Sequence, residues 1–161
     1  MTIGGLAIAL VLILLAARTS PPPPVLVERP GTDDTPRSVN VILRDYRFVP
    51  TPLVLVRGET VRFELINGGL EPHEFVIGDT SVQRAWASAH AAATPPGPFA
   101  TPPPARVSPG FEGSRVLLAS GASASLDFRV PEDGALELMC HLPGHVAEGM
   151  VGTVVLHERP R

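Results

Sequence analysis

Alternation with a period of two dominates the chain from Val39 onward. Val39, Val41 and Leu43 alternate with Asn40, Ile42 and Arg44. Val61, Phe63 and Leu65 alternate with Arg62, Glu64 and Ile66, and Leu126, Phe128 and Val130 with Ser125, Asp127 and Arg129. Successive side chains of a strand leave on opposite faces, so each segment has one apolar face to bury. The apolar run at 53–56 and the stretch 151–157 read as further strands. Arg57-Gly58-Glu59, Asn67-Gly68-Gly69 and Pro131-Glu132-Asp133-Gly134 supply turns between them. Short alternating strands with regular turns predict an all-β chain, an antiparallel sandwich or barrel. At 161 residues there is room for one such domain with appendages and a core that needs no disulfide staples.

Two regions fall outside this pattern. Residues 3–17 are apolar apart from glycine. That is short for a spanning helix and fits the apolar part of a signal peptide, or an uncleaved membrane anchor. Export to the periplasm or the cell exterior is expected in either case, with 1–19 as signal or anchor and a tether to the membrane through 3–17. The proline-rich stretch 20–38 reads as an extended linker, with the folded domain at 39–161. The second region, 80–114, interrupts the domain. Val82, Ala85, Trp86 and Ala89 recur at helical spacing, and Thr80 or Ser81 can cap a helix that runs to about Ala93. Trp86 is expected to dock this helix on the sandwich, and His90 to face solvent. Residues 94–109 carry seven prolines and read as an extended excursion.

The chemistry concentrates in one loop. Cys140 is the only cysteine; His145 follows, then Met150, with Pro143, Gly144 and Gly149 tightening the turn. Thiolate, imidazole and thioether together suit copper. Cys140 shares a phase with Leu136 and Leu138 and is expected to point inward, whereas Met139 and His141 take the opposite phase and are expected on the surface. His73 shares a phase with Phe75 and Ile77, so it too points inward, at the start of a strand. It is the expected fourth ligand, completing a mononuclear copper site of His73, Cys140, His145 and Met150. The net charge of −3 gives no reason to expect nucleic acid as a partner.

The stretch His73-Glu74-Phe75-Val76-Ile77-Gly78, followed by Cys140, His145, Met150 and Gly152, resembles the cupredoxins, the small blue copper proteins of the plastocyanin/azurin superfamily. The resemblance covers about Val39 to Leu156, with 80–114 as an insertion longer than a minimal member needs. It implies a Greek-key β-sandwich with type 1 copper at one end. His73, Cys140 and His145 would be the equatorial ligands and Met150 the weak axial one. His141 adjoins the ligand cysteine, as a histidine does in multicopper oxidases, but no paired His-x-His motifs accompany it.

Such a ligand set serves both Cu(I) and Cu(II), and it leaves no open position for substrate. The leading expectation is therefore a one-electron carrier and not an enzyme, since a copper nitrite reductase would need a second copper site and more chain. The electron would pass through an exposed edge of His145 to a redox protein. Leu70, Pro72, Leu142, Pro143 and Val146 offer an apolar docking patch, and Glu71, Glu74 and Glu148 a negative rim. Backbone N–H groups near Asn67 or after the cysteine are the expected donors to the sulfur. The alternative is copper storage, delivery or resistance through the same ligands. A metal-free adhesion sandwich is disfavoured by the ligand cluster. A monomer is expected.

Overall fold

The computed structural model describes residues 27, 29–93 and 105–160. The apolar segment 3–17, the proline run 21–24 and residues 94–104 lie outside the described residues. Ten strands are described: β1 (Arg37–Arg44), β2 (Arg47–Val49), β3 (Leu53–Val56), β4 (Thr60–Asn67), β5 (His73–Gly78), β6 (Arg115–Leu118), β7 (Ser123–Arg129), β8 (Glu137–Met139), β9 (Val151–Gly152) and β10 (Val154–His157). One helix, α1 (Thr80–Ala92), and a 3-10 turn (Pro109–Ser114) lie between β5 and β6.

The strands form a sandwich. One sheet has the order β2-β1-β4-β7, the facing one β6-β5-β8-β9, and β10 pairs with β3 as a two-stranded ribbon. The alternating residues read from the sequence meet between these layers. Val41, Leu43, Val61, Phe63 and Leu65 from the first sheet pack with Phe75, Ile77 and Leu138 from the second. Phe75 is central, edge-on to Phe48 and tilted against Phe63.

The sandwich is not purely antiparallel, as the alternation suggested. β1 runs parallel to β4, with Val39 opposite Phe63, and β10 runs parallel to β3, with Val154 opposite Leu53. Alternation is identical for the two directions, so the sequence pattern could not choose between them. The segment 151–157 also divides at Thr153: β9 pairs with β8, whereas β10 crosses to β3. β2 and β6 are short and were not evident from the pattern, because three or four residues show too little alternation.

The folded body begins before Val39. Gly31 is buried; its N–H donates to Glu59 and its carbonyl accepts from the Thr60 N–H. Glu59 is itself fully buried and receives Arg37 Nε at 2.8 Å and the Val56 N–H at 2.7 Å. This charge is stabilised because its lone pairs are occupied by donors at the edge of the core.

Helix α1 is capped by Asp79, not by Thr80 or Ser81. Its Oδ1 accepts from the Ser81 and Val82 N–H groups at 2.8 and 3.0 Å. Trp86 docks the helix as expected. It is buried, and its Nε1 donates to the Phe111 carbonyl at 3.3 Å. Gly78, at the end of β5, allows the helix to approach, since a Cβ there would lie 2.6 Å from Val82.

Candidate metal centre

The centre sits at one end of the sandwich, where β5 begins and β8 ends. The loop before β5 is fixed by Asn67. Its Nδ2 donates to the carbonyls of Glu71 and Leu118, at 2.8 and 3.0 Å, and its Oδ1 accepts from the Gly69 N–H at 2.9 Å. His73 enters β5 directly from this loop and is fully buried. Leu136, Leu138 and Cys140 all point inward, as their phase predicted.

The loop after Cys140 folds on its own backbone. The Leu142 carbonyl accepts from the His145 N–H, and Met150 closes the turn by donating its N–H to His145 and accepting from the Cys140 N–H. Gly144 and Gly149 have φ of 87° and 95°, a region that strains any residue with a Cβ. The sequence therefore dictates a loop that returns Met150, itself buried, to the base of Cys140.

The outcome is convergence. One donor atom each from His73, Cys140 and His145 lies within 4.8 Å of the others, and all three residues are buried. His145 Nδ1 is 3.2 Å from His73 Nδ1 and 3.3 Å from Cys140 Sγ. His73 Nε2 donates to Asp45 Oδ1 at 3.1 Å. A carboxylate only accepts, so the Nε2 proton is fixed and the Nδ1 lone pair faces the cluster. The bond with His73 holds the Asp45 carboxyl below its usual value, helped by the N–H groups of Leu70 and Glu71. His145 is oriented likewise, with its Nε2 3.4 Å from Glu71 Oε2. Gly69 leaves the space this needs: a Cβ there would lie 2.6 Å from His73 Nε2.

Burial pushes the Cys140 thiol up to about 11, although the N–H groups of Glu74 and Leu142 oppose the shift. Burial also lowers the pKa of His145, and repulsion from a protonated His73 would add to this. A His145 imidazole biased toward its neutral form beside a buried thiol suits a soft, thiophilic ion, whose binding would displace the thiol proton.

Several surroundings differ from the sequence expectations. The sulfur accepts from the Glu74 N–H at 3.3 Å and, as expected of the residues after the cysteine, from the Leu142 N–H, whereas the Asn67 N–H is committed to the Ala122 carbonyl. Glu74 is not part of a negative rim. It is 0% exposed and receives Arg115 and His90. His90 is accordingly half-buried, its Nε2 2.9 Å from Glu74 Oε1. His141 is half-buried too and donates from Nε2 to Gln83 Oε1 at 2.8 Å, because α1 covers that face of β8. His145 is only 7% exposed. Tyr46, at φ 61°, places its ring edge-on to His145 with centroids 5.4 Å apart, and its hydroxyl is 3.4 Å from Glu71 Oε2. The expected open edge of His145 is thus covered by Tyr46 and Glu71. Sequence could not reveal these contacts, since Asp45 and Tyr46 lie in an unremarkable turn far from the loop. Leu70 and Val146 are exposed, as a surface patch requires.

The fold and the donor cluster define a copper-binding sandwich, and the family match agrees. The sequence model of the copper binding proteins, plastocyanin/azurin family, matches residues 38–157, so the chain belongs to that family and is a cupredoxin. It is 38% identical to the "copper-resistant cuproprotein CopI" of Rubrivivax gelatinosus, over 80% of this chain and 72% of the relative. It is 31% identical to the protein of the same name from Pseudomonas aeruginosa, over 74% and 76%. Among solved structures, auracyanin B superposes with a TM-score of 0.56 at 26% identity, covering 80% of this chain and 94% of that one. Copper is therefore the metal this chain binds, and the chemistry of the donor set fits it.

Proposed function

We propose that the chain is an exported copper-resistance protein that holds one copper ion between His73, Cys140, His145 and Met150. The observation that carries this reading is the convergence of two Nδ1 atoms and one sulfur on a single buried point. Bound copper supplies a one-electron couple, and every other part of the function belongs to the chain. Asp45 and Glu71 orient the imidazoles, the Glu74 N–H bonds the sulfur, and the buried Met150, held by its backbone against Cys140 and His145, would offer its thioether as the fourth ligand. Four protein side chains would fill the proposed coordination sphere and leave no open position for a substrate, so the proposed role is binding. Resistance is favoured by the likeness to the two cuproproteins. The cover that Tyr46 and Glu71 place over His145 supports retention of the ion. Export is part of the proposal because the apolar segment 3–17 reads as a signal peptide or anchor in the sequence.

The second reading is a one-electron carrier. It is favoured by the ligand set, which serves both oxidation states within one frame. Its redox partner would dock on Leu70, Leu142, Pro143 and Val146 beside His145. The test combines two measurements on the copper-loaded domain. A thiolate-to-copper charge-transfer band is expected, and Cys140→Ser should abolish it; a folded wild type without the band refutes the site. Expression of the wild type, but not of Cys140→Ser, should then raise the copper tolerance of a sensitive host. Unchanged tolerance, with fast reversible voltammetry, favours the carrier.

A further inference from the structure

Glu74 is the residue that donates its N–H to Cys140 Sγ, and it carries a fully buried carboxylate. Its Oε1 collects Arg115 Nε at 2.6 Å, the Arg115 terminal nitrogen, and His90 Nε2 at 2.9 Å. Its Oε2 has no hydrogen-bond partner among the described residues. Both Arg115 and His90 face this carboxylate, so it is paired although it is buried. Register explains Arg115: it stands opposite Val76 in the β5–β6 pair, on the same side of β5 as Glu74. Its guanidinium stacks 4.5 Å from the Trp86 ring, so the tryptophan that docks α1 also fixes the cation.

The residue after the cysteine is held from the same side. Gln83 donates to the carbonyls of Val76 and Glu137, at 3.2 and 2.8 Å. Its Oε1 therefore faces His141 and accepts from it. Both backbone segments that touch the sulfur are thus anchored by groups from α1 and from the start of β6.

We propose that Arg115, His90 and Gln83 are positioning residues for the copper thiolate, and that the buried Glu74 charge held by Arg115 and His90 helps set the reduction potential. This rests on the copper site proposed above. A carboxylate behind the sulfur favours the more positive oxidation state, and Arg115 and His90 offset part of that effect. In a low-dielectric interior such charges act strongly.

The experiment uses the copper-loaded full chain. Glu74→Gln keeps the peptide N–H and the side-chain shape but removes the charge. It should shift the Cu(I)/Cu(II) ratio toward Cu(I) by about tenfold, a rise of about 59 mV for a one-electron couple. Arg115→Met should shift the ratio the other way, and Arg115→Lys should restore much of it. In the metal-free protein, His90→Ala and Gln83→Ala should speed alkylation of Cys140 by iodoacetamide several-fold. A wild type with its charge-transfer band, but with Glu74→Gln and Arg115→Met at unchanged potential and only lower unfolding midpoints, overturns the inference alone. A wild type without the band overturns both the inference and the copper site beneath it.

Discussion

Replacing Asp45 should weaken copper binding although Asp45 is not itself a ligand. Its Oδ1 takes three donors: His73 Nε2 at 3.1 Å, the Leu70 N–H at 2.9 Å and the Glu71 N–H at 3.4 Å. The two amides are at the surface, where water replaces the lost acceptor at little cost. The imidazole differs, because His73 is fully buried and has no water to turn to. In Asp45→Ala the Nε2–H loses its acceptor, so the tautomer with Nδ1 protonated gains population and the ring is freer to rotate. Loss of such a carboxylate–histidine contact typically costs about 10–100-fold in metal affinity. Asp45→Asn retains an oxygen acceptor of the same shape and should lose much less. Competition with a Cu(I) chelator gives the affinities, and far-UV circular dichroism checks that both variants fold. If Asp45→Ala binds within about threefold of wild type, or if Asn is as damaging as Ala, the orientation argument is wrong.

Gly69→Ala should reduce copper loading while leaving the sandwich folded, because its Cβ would press on His73 Nε2 and on the Asp45 backbone; metal content after dialysis measures this. Arg37→Met should destabilise the metal-free protein by about 3 kcal/mol in urea, since Glu59 would remain buried without its cation. Stability should also depend on acid through Glu59. Burial raises its pKa, but hydrogen bonds from Arg37 and Val56 outweigh that and leave it lowered. Its contribution is therefore complete above the unfolded value of about 4.3 and is lost as pH falls through the lower folded value, so Glu59→Gln should flatten the acid limb of an unfolding-versus-pH curve. Trp86→Ala should cost about 3–5 kcal/mol and expose α1 to protease, because the indole is buried and holds both Phe111 and Arg115.

Much of the sandwich was visible in the alternation. Val41, Leu43, Val61, Phe63 and Leu138 all lie in the core where their phase placed them. Cys140 and His73 followed the same rule, which is why the donor cluster could be assembled from sequence. The rule failed where a second layer covers a strand's outer face. Glu74 and His141 occupy outward positions by phase, yet α1 packs over them and Arg115 reaches across from β6. Every residue of β5 is buried for this reason, so alternation along it says nothing about exposure. The period of α1 alone points His90 to solvent, because a helix shows only its own repeat and not the strand it lies against.

The sequence by itself determined which atoms can bind copper and how the last loop returns them, because side-chain chemistry and the positive φ of Gly144 and Gly149 are local properties. Tertiary structure alone decided strand direction, the cover over His145, and the groups that orient the ligands. Asp45, Tyr46 and Glu71 meet the site from another turn, and Arg115 meets Glu74 from across the sheet. Such contacts join residues distant in sequence, and only strand pairing and the packing of the layers bring them within reach of one another.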